Sequence, residues 1–547
     1  MEKMPEVAKI ETGYFWKNTY EKFEAQVYVP ETKLQGDILN YGFNAPYLLV
    51  FAPNPLAQNE AVSFARAKGL EKLAADFASS VVFISPVNNG KLCDWKSAEP
   101  DILSEIISNS RIHQYHKNGV VIANNFFRHS IDGYYIRGAI FRAVLIGYGE
   151  GADYIAENCL HHFEGDGLWG RSDLAPATCI LNGLTVAPEI GADDIPVISY
   201  ANREEANELF QIRCKHFIKR DTEPSAEEFI SDYYSFARQF RRMNGPLQLD
   251  PDLEKEGLII EPGIAEVKTS PDNCGDDRGT ETHKIGYFAF YNKGLFEAGT
   301  DGKVNPVPLV LGFHGGGDSC FFFATMAGWA KIAHRHNFLL VTIENHLNST
   351  ATEMVELLEI LKKKYNIDTT RVYATGFSMG GCKTWDMIQE YPEVIAAAAP
   401  MDATWDVGLN VYGNKVEKRI NETIPVPVFY AGGEVTPLPE LPFQEQKCLD
   451  RMAYTLLLNN AEKAERYEEE VKLENKDTWE NKIWGINGDE VETSYDESRD
   501  ATLTMQKFRS TDGRILSVFA SISGQGHDCR EHTCEHAWQF MSQFTRQ

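Results

Sequence analysis

The sequence predicts an α/β protein made of two tandem domains, each a mostly parallel β-sheet flanked by helices. The chain has 547 residues, more than the roughly 250–300 at which a single hydrophobic core stops growing. Short apolar strands alternate with amphipathic helices along the chain, a pattern typical of a parallel sheet that is covered on both faces. The sequence also contains the same unit twice, which indicates two domains of one kind.

The repeat consists of three pairs of matching segments that occur in the same order in both halves. The pairs are FRAVLIGYGEGAD (141–153) with TRVYATGFSMGGC (370–382), GLEKLAADFASSVVFI (69–84) with GWAKIAHRHNFLLVTI (328–343), and IPVISYAN (195–202) with VPVFYAGG (426–433). A stretch rich in Gly, Pro and Asp lies between the halves, around 243–280. We therefore predict domains at 1–245 and 246–547, with an insertion at about 441–513 in the second.

Composition and charge exclude several classes of function. The formal net charge is −26, which repels nucleic-acid phosphates and anionic lipid surfaces. The sequence shows no secretory signal and no run of apolar residues long enough to span a membrane. We expect a cytoplasmic protein whose ten cysteines are mostly reduced thiols. The expected partner is a small molecule, and a homo-oligomer is left open.

The elements of the second half alternate regularly. Predicted strands cover 308–313, 338–344 and 372–375, and predicted helices cover 322–336, a segment starting at Thr350, and 379–391. Thr350 and Glu353 form a capping box at the start of the second helix.

A nucleophile motif follows the third of these strands. Gly376-Phe377-Ser378-Met379-Gly380 fits G-x-S-x-G and stands directly between a strand and a helix, the context that a nucleophile elbow requires. The glycines allow a sharp turn, and Ser378 would project above the sheet near the positive end of the following helix. The alternative is a glycine-rich turn with a solvated serine.

A second motif, His314-Gly315-Gly316-Gly317, follows the first strand. Its glycines can expose backbone N–H groups to a developing oxyanion, with Met379 N–H as the other donor. The alternative is a flexible glycine turn.

A general base is expected as a histidine after the last strand, and His527 occupies that place. His532 and His536 fall at the start of the final predicted helix, and His346 is a weaker reserve. His334 and His336 end a helix and are expected at the surface.

The acid is expected after the preceding strand, where Gly432-Gly433-Glu434 stands. We predict that Glu434 orients His527 and stabilises its imidazolium. Asp450 and Asp489 are alternatives, and we expect Asp402 to be structural or to face substrate.

At this point the second half resembles the α/β-hydrolase superfamily, and within it the poly(3-hydroxybutyrate) depolymerase-like and feruloyl esterase family. The likeness is carried by GFHGGGDS, RVYATGFSMGG, YPEVIAAAAPMDA, VPVFYAGGE and STDGRILSVFASISGQGHD. It implies hydrolysis of carboxylic esters through an acyl-enzyme. It also implies a β-hairpin before the catalytic histidine, with Asp512-Gly513 as its turn. In that family the acid is more often an aspartate a few residues after the strand glycine, whereas Glu434 comes sooner.

The first half lacks the corresponding residues. Gly149 stands where the repeat places Ser378, and Arg203 stands where it places Glu434. Pro53-Asn54-Pro55 lies near the position of the glycine loop, and proline has no N–H to donate. We predict a hydrolase-like fold without hydrolase chemistry.

Several features of the sequence allow two interpretations each. Phe321 and Phe322 could line an acyl pocket together with His314, or the aromatic residues could pack into the core. Cys529 and Cys534 could form a disulfide, and with His532 and His536 they could bind zinc. We predict neither a metal nor a cofactor. The insertion could cover the cleft or expose a solvated helix.

The predicted function is hydrolysis of small acyl or hydroxycinnamoyl (feruloyl-type) esters by a serine esterase. The alternatives are a serine peptidase of the prolyl-oligopeptidase type and a non-enzymatic scaffold built from two hydrolase folds.

Overall fold

The computed structural model divides the chain into two compact units. The described residues are 8–31, 47–76, 79–110, 115–117, 120–122, 143–160, 176–191, 195–242, 247–249, 253–273, 275, 277–298, 302, 304–316, 320–344, 346, 349–409 and 420–546. The first unit is Met1–Asp252 and the second is Leu253–Gln547.

The main sheet of the first unit combines an antiparallel edge with a parallel centre. The strands of this unit are β1 (Ala8–Ile10), β2 (Gly13–Thr19), β3 (Phe23–Pro30), β4 (Tyr47–Phe51), β5 (Ser80–Asn88), β6 (Lys91–Leu92), β7 (Tyr115–Lys117), β8 (Val120–Ile122), β9 (Ala143–Tyr148), β10 (Thr178–Asn182), β11 (Val197–Tyr200), β12 (Phe217–Arg220), β13 (Phe240–Arg242) and β14 (Leu247–Leu249). The main order is β1-β2-β3-β5-β4-β9-β10-β11-β12. All pairs from β5 to β12 along this path are parallel.

Helices and apolar clusters cover both faces of this sheet. The helices are α1 (Gln58–Ala67), α2 (Leu70–Asp76), α3 (Ile102–Ser110), α4 (Glu150–Asn158), α5 (Glu204–Arg213) and α6 (Ala226–Ser235). On β4, Leu49 and Phe51 belong to one cluster, and Leu48 and Val50 belong to another. Because neighbouring strand residues point to opposite faces, both faces of β4 are buried.

The second unit contains a single ten-stranded sheet among its described residues. Its strands are β15 (Leu258–Lys268), β16 (Thr282–Asn292), β17 (Val307–Phe313), β18 (Leu339–Ile343), β19 (Ile367–Phe377), β20 (Ala397–Met401), β21 (Val428–Gly433), β22 (Glu490–Asp496), β23 (Ala501–Arg509) and β24 (Ile515–Ile522). The order is β15-β16-β18-β17-β19-β20-β21-β24-β23-β22. The pairs from β18 to β24 are parallel, and both edges are antiparallel.

The two sheets share one strand order over seven strands. The path β3-β5-β4-β9-β10-β11-β12 in the first unit corresponds to β16-β18-β17-β19-β20-β21-β24 in the second. In both paths the first pair is antiparallel and the other pairs are parallel. The predicted class, two tandem α/β domains with mostly parallel sheets, is confirmed.

The helices of the second unit follow the predicted alternation with one break. They are α7 (Cys320–Met326), α8 (Trp329–His336), α9 (Ala351–Lys364), α10 (Met379–Glu390), α11 (Gln446–Leu458), α12 (Ala464–Glu470) and α13 (Glu531–Met541). The single helix predicted over 322–336 is wrong, because Gly328 adopts a left-handed φ of 73° and separates α7 from α8. The capping box of Thr350 and Glu353 is present at α9.

The segment 441–513 is part of the fold rather than a separate cover. Trp479 and Trp484 are buried and join the same apolar cluster as Leu449 of α11 and Tyr467 of α12. The remaining face of α12 is mostly exposed, as the charged run predicts. The hairpin of β23 and β24 turns at Asp512-Gly513, with Gly513 at a φ of 88°.

Among the described residues, none of the helices has both the length and the apolar character that crossing a lipid bilayer requires.

Candidate active site

Ser378 occupies a strained turn between β19 and α10. Its φ and ψ are 55° and −121°, a region that L-residues other than glycine rarely adopt. The turn is held by a hydrogen bond in which Ser378 N–H donates to the Met401 carbonyl, at 3.0 Å. The side chain of Ser378 is half-buried. The strand, strained turn and helix together form a nucleophile elbow.

The two glycines of the motif are required by close backbone packing. A Cβ on Gly376 would lie 2.2 Å from the Gly380 carbonyl oxygen, and one on Gly380 would lie 2.1 Å from the Phe313 carbonyl oxygen. Neither position can accept a side chain unless the backbone moves. The glycines therefore bring the start of α10 against the end of β17.

His527 lies beside the elbow. Its side chain is buried, and its ring centroid is 4.6 Å from that of Phe377, the residue before Ser378. Its Nδ1 atom forms a short hydrogen bond with Oε1 of Glu440. The structure thus places the predicted base against the residue that precedes the predicted nucleophile, and it pairs this base with a carboxylate.

That carboxylate is Glu440, not the predicted Glu434. Glu434 is half-buried and accepts a hydrogen bond from the Ser521 hydroxyl at 2.8 Å. Its backbone N–H bonds to the Ile522 carbonyl of the neighbouring strand, which ties it to the sheet. The expected contact between Glu434 and His527 is therefore replaced by one from Glu440.

Glu440 is held from several sides in the loop after β21. Its Oε1 accepts from the Thr436 hydroxyl at 3.0 Å, and its carbonyl accepts from the Tyr430 hydroxyl at 2.7 Å. Its backbone N–H donates to Gln444 Oε1 at 2.9 Å. Burial raises the pKa of the Glu440 carboxyl, while hydrogen bonds from Asp402 and Thr436 act to lower it.

The other carboxylates considered from the sequence lie elsewhere, except Asp402. Asp450 is exposed and accepts from Gln446, and Asp489 pairs with Lys463 at 3.0 Å. Asp402 is buried directly after β20. Its Oδ1 accepts from the Gly433 N–H at 3.0 Å.

Asp402 forms a buried cluster with Glu440 and His527. Ligand-type atoms of Asp402, Glu440 and His527 all lie within 4.8 Å of one another. It is the single group of this kind among the described residues. The spacing would admit a metal ion, yet two of the three groups already bond to each other. Burial, followed by the charge of Glu440, raises the pKa of the Asp402 carboxyl well above its usual range.

The predicted oxyanion loop is described in part. Gly316 lies against the Met379 side chain, since a Cβ on Gly316 would be 2.6 Å from Met379 Sδ. Gly315 precedes it in the same loop, and Gly317 lies outside the described residues. The loop and the start of α10 are therefore adjacent, as two oxyanion donors require.

The His314 side chain is buried beside the glycine loop. It is 1% exposed, and its ring nitrogens lie 2.7 Å from the carbonyl oxygens of Gly315 and Glu344. His346 packs against it, with ring centroids 4.4 Å apart, and is equally buried. The predicted contact of His314 with substrate stays a prediction.

Phe321 follows the loop at the start of α7. It is half-buried and packs edge-on against Phe288, with ring centroids 5.3 Å apart. The side chain of Phe322 lies outside the described residues.

The late histidines and cysteines are accounted for by packing. His532 Nε2 is 2.9 Å from the Ser494 hydroxyl, and its ring packs against His536. The sulfur atoms of Cys529 and Cys534 are 3.5 Å apart, and both residues are free thiols buried in the structure. The disulfide alternative is therefore not formed.

The first unit has an elbow of the same shape. Gly149 precedes α4 with φ and ψ of 53° and −122°. Its N–H donates to the Asn182 carbonyl at 2.9 Å, as Ser378 does to Met401. The backbone is present in both units, whereas the side chain that carries a hydroxyl occurs in the second alone.

Glu440 was not predicted from the sequence, because it lies seven residues beyond the end of β21. The strand ends at Gly433, and Glu440 lies in the segment TPLPELPF. The resemblance offered a signal, since it implies an acid a few residues after the strand glycine, where Glu440 stands. Glu434 stands directly after the strand, which is closer than the resemblance implies.

Comparisons with known proteins point in the same direction. No protein-family model matches the chain. The chain is 24% identical over 247 residues to a bifunctional acetylxylan esterase/xylanase of Neocallimastix patriciarum, covering 44% of this chain and 31% of that protein. It is 27% identical over 129 residues to poly(3-hydroxyalkanoate) depolymerase C of Paucimonas lemoignei, covering 20% and 31%. The chain thus spans about a third of each relative's length.

Solved structures were also matched. An S-formylglutathione hydrolase of Staphylococcus aureus has a TM-score of 0.32 at 12% identity, covering 52% of this chain and 99% of its own. An acetyl xylan esterase of Aspergillus awamori has a TM-score of 0.31 at 12% identity, covering 51% and 99%. The strand order and the elbow are those of an α/β-hydrolase fold.

Proposed function

We propose that this chain is a serine carboxylic ester hydrolase that works through an acyl-enzyme, with Ser378 as nucleophile, His527 as general base and Glu440 as acid. The observation that carries the proposal is the buried bond of Glu440 to Nδ1 of a histidine that packs beside the elbow. A carboxylate on Nδ1 sets the tautomer of the ring and stabilises its cation.

The reaction follows from this arrangement. With Nδ1 engaged by Glu440, Nε2 of His527 takes the proton of Ser378 as its Oγ attacks the ester carbonyl. The tetrahedral intermediate collapses, and His527 gives that proton to the leaving alcohol. Water then attacks the acyl-enzyme by the same route and releases the acid and free Ser378.

The oxyanion is assigned to backbone donors at the start of α10 and in the glycine loop. Met379 N–H lies at the positive end of this helix, and Gly316 is packed against the Met379 side chain. We propose Met379 together with Gly315–Gly317 as this site. Donors that are fixed before reaction stabilise developing charge without reorganisation.

We propose small acyl or hydroxycinnamoyl esters as substrates. One sequence relative is named a bifunctional acetylxylan esterase/xylanase, and the other is named a poly(3-hydroxyalkanoate) depolymerase. Phe321, half-buried directly after the glycine loop, supplies an aromatic surface for an acyl group. Rates on a panel of acetyl, feruloyl and longer-chain esters would rank these classes.

We propose that the first unit is a non-catalytic repeat of the second. The support is the common strand order and the elbow at Gly149, which has no nucleophile.

The test is a labelling and activity comparison. Ser378→Ala should lower hydrolysis of p-nitrophenyl acetate by about 10⁴-fold or more, because the attacking oxygen is gone. A fluorophosphonate should label wild type at Ser378, as mapped by peptide mass spectrometry. Ser498→Ala, which removes an exposed hydroxyl, is the matched control and should behave as wild type. Retained activity in Ser378→Ala, or a label on another serine, would contradict the proposal.

A further inference from the structure

The acid of the proposed triad has a second carboxyl beside it. Oε1 of Glu440 accepts from His527 and Thr436, whereas Oε2 is buried and has no hydrogen-bond donor among the described residues if both carboxyls are ionised. A buried carboxylate oxygen without a donor is costly. A carboxylate oxygen of Asp402 lies within 4.8 Å of one of Glu440, and hydrogen bonding between the two carboxyls raises the pKa of Asp402 and acts to lower that of Glu440.

Two acceptors cannot bond to each other without a proton between them. Of the two carboxyls, Glu440 has a donating hydroxyl and an imidazole N–H at its other oxygen, and both favour the anion. Asp402 has one backbone donor, the Gly433 N–H. The proton therefore belongs on Asp402.

We propose that Asp402 is a positioning residue that stays protonated, donates its carboxyl O–H to Oε2 of Glu440, and thereby holds Glu440 as the anion that faces His527. This inference rests on the proposed function, because it gives Glu440 the part of the acid. Asp402 itself touches neither substrate nor Ser378 in this account; it acts through Glu440.

The surroundings suit a neutral carboxyl. The described groups that interact electrostatically with Asp402 include Glu440, His527, Tyr430 and Cys529, and of these four only His527 can carry a positive charge. Cys448 adds a further neutral thiol beside Glu440. Burial raises the pKa of Tyr430 and Cys448, and the hydrogen bond with Cys534, followed by burial, raises that of Cys529, so these groups also stay neutral at pH 7.

The test uses two substitutions of the full chain. Asp402→Asn keeps an acceptor for Gly433 N–H and offers an amide N–H to Glu440, so it should retain at least about a third of kcat/KM on p-nitrophenyl acetate. Asp402→Ala leaves Oε2 without a donor and should lose about 10- to 100-fold. If Asp402→Asn falls as far as Asp402→Ala, the proposal is overturned.

A stability measurement separates this proposal from a merely structural role. A carboxyl that is protonated in the fold but ionises above about pH 4 in the unfolded chain makes the fold lose stability as pH rises. Asn has no such proton. The difference in thermal midpoint, Asp402→Asn minus wild type, should therefore increase between pH 5 and 8. A constant difference would overturn the proposal, even if Asp402→Ala does not fold.

The two proposals fail in different ways. If wild type is neither active nor labelled at Ser378, the proposed function fails, and the pH slope of stability still decides where the proton lies. If Ser378 is labelled but the slope is absent, the triad stands and the role of Asp402 is refuted.

Discussion

Gly149 and Ser378 occupy the same place in two sheets of the same strand order, with φ and ψ that agree within 2°. Both turns bond to the end of the neighbouring strand through the same backbone N–H. One has no side chain, and the other has a hydroxyl beside a histidine. The strained elbow is therefore a property of the backbone packing and persists where no hydroxyl is present.

The glycines around each elbow explain why the shape persists. A Cβ on Gly151 would lie 2.2 Å from the Phe51 carbonyl oxygen, just as one on Gly380 would lie 2.1 Å from that of Phe313. In each unit the helix start is pressed against the end of a central strand. The fold needs this close approach whether or not a reaction takes place.

The largest effect is expected at Glu440, the proposed acid. Glu440→Gln should lower kcat by about 10³- to 10⁴-fold, because an amide neither carries the charge that stabilises the His527 cation nor sets its tautomer. The measurement is the steady-state rate on p-nitrophenyl acetate, with circular dichroism as a check of folding.

Glu434→Gln is the matched control, since it changes the neighbouring carboxylate in the same way. It should keep wild-type activity within about twofold. A large loss in Glu434→Gln together with a small loss in Glu440→Gln would reverse the assignment of the acid.

A smaller effect is expected from the matched pair of glycines. Gly380→Ala and Gly151→Ala should each destabilise their own unit by about 2–3 kcal/mol, because the added Cβ forces the backbone apart. Gly380→Ala should also reduce ester hydrolysis, whereas Gly151→Ala should leave it near wild type. Urea unfolding and rate assays measure the two quantities, and loss of activity in Gly151→Ala would mean that the first unit contributes to the site.

The smallest effect is expected from restoring the missing hydroxyl. A Cβ on Gly149 meets nothing nearer than Pro53 at 3.6 Å, so Gly149→Ser should fit at a cost of about 1–2 kcal/mol for a left-handed φ. In a Ser378→Ala background it should show no fluorophosphonate label, because no histidine stands between β12 and α6, whereas His527 follows β24, the strand that corresponds to β12. Labelling at residue 149 would show that the first unit retains a working base.

What could be predicted from the sequence was local. The elbow and the capping box of Thr350 are each set by a few consecutive residues, and the strand pattern follows from burial on both faces of a sheet. The helix break at Gly328 was not predicted. The close approach at this glycine is made by Glu531 of α13, which is far from it in the sequence.

The acid could not be derived from spacing alone. Glu440 reaches His527 because hydrogen bonds with Tyr430, Thr436 and Gln444 hold its loop in place. Those contacts join residues whose pairing has no signature in the sequence. The same holds for Asp402, because its neighbours Gly433 and His527 lie at the end of β21 and after β24.

Glu440 and His527 are 87 positions apart in the sequence, and this separation has a consequence for the order of folding. The hairpin of β23 and β24 can form by local contacts, but β24 must then dock beside β21 across the whole insertion. Closing so long a loop is slow compared with forming helices and hairpins. On refolding, enzymatic competence is therefore expected to appear last, after the secondary structure and most of the sheet are already in place.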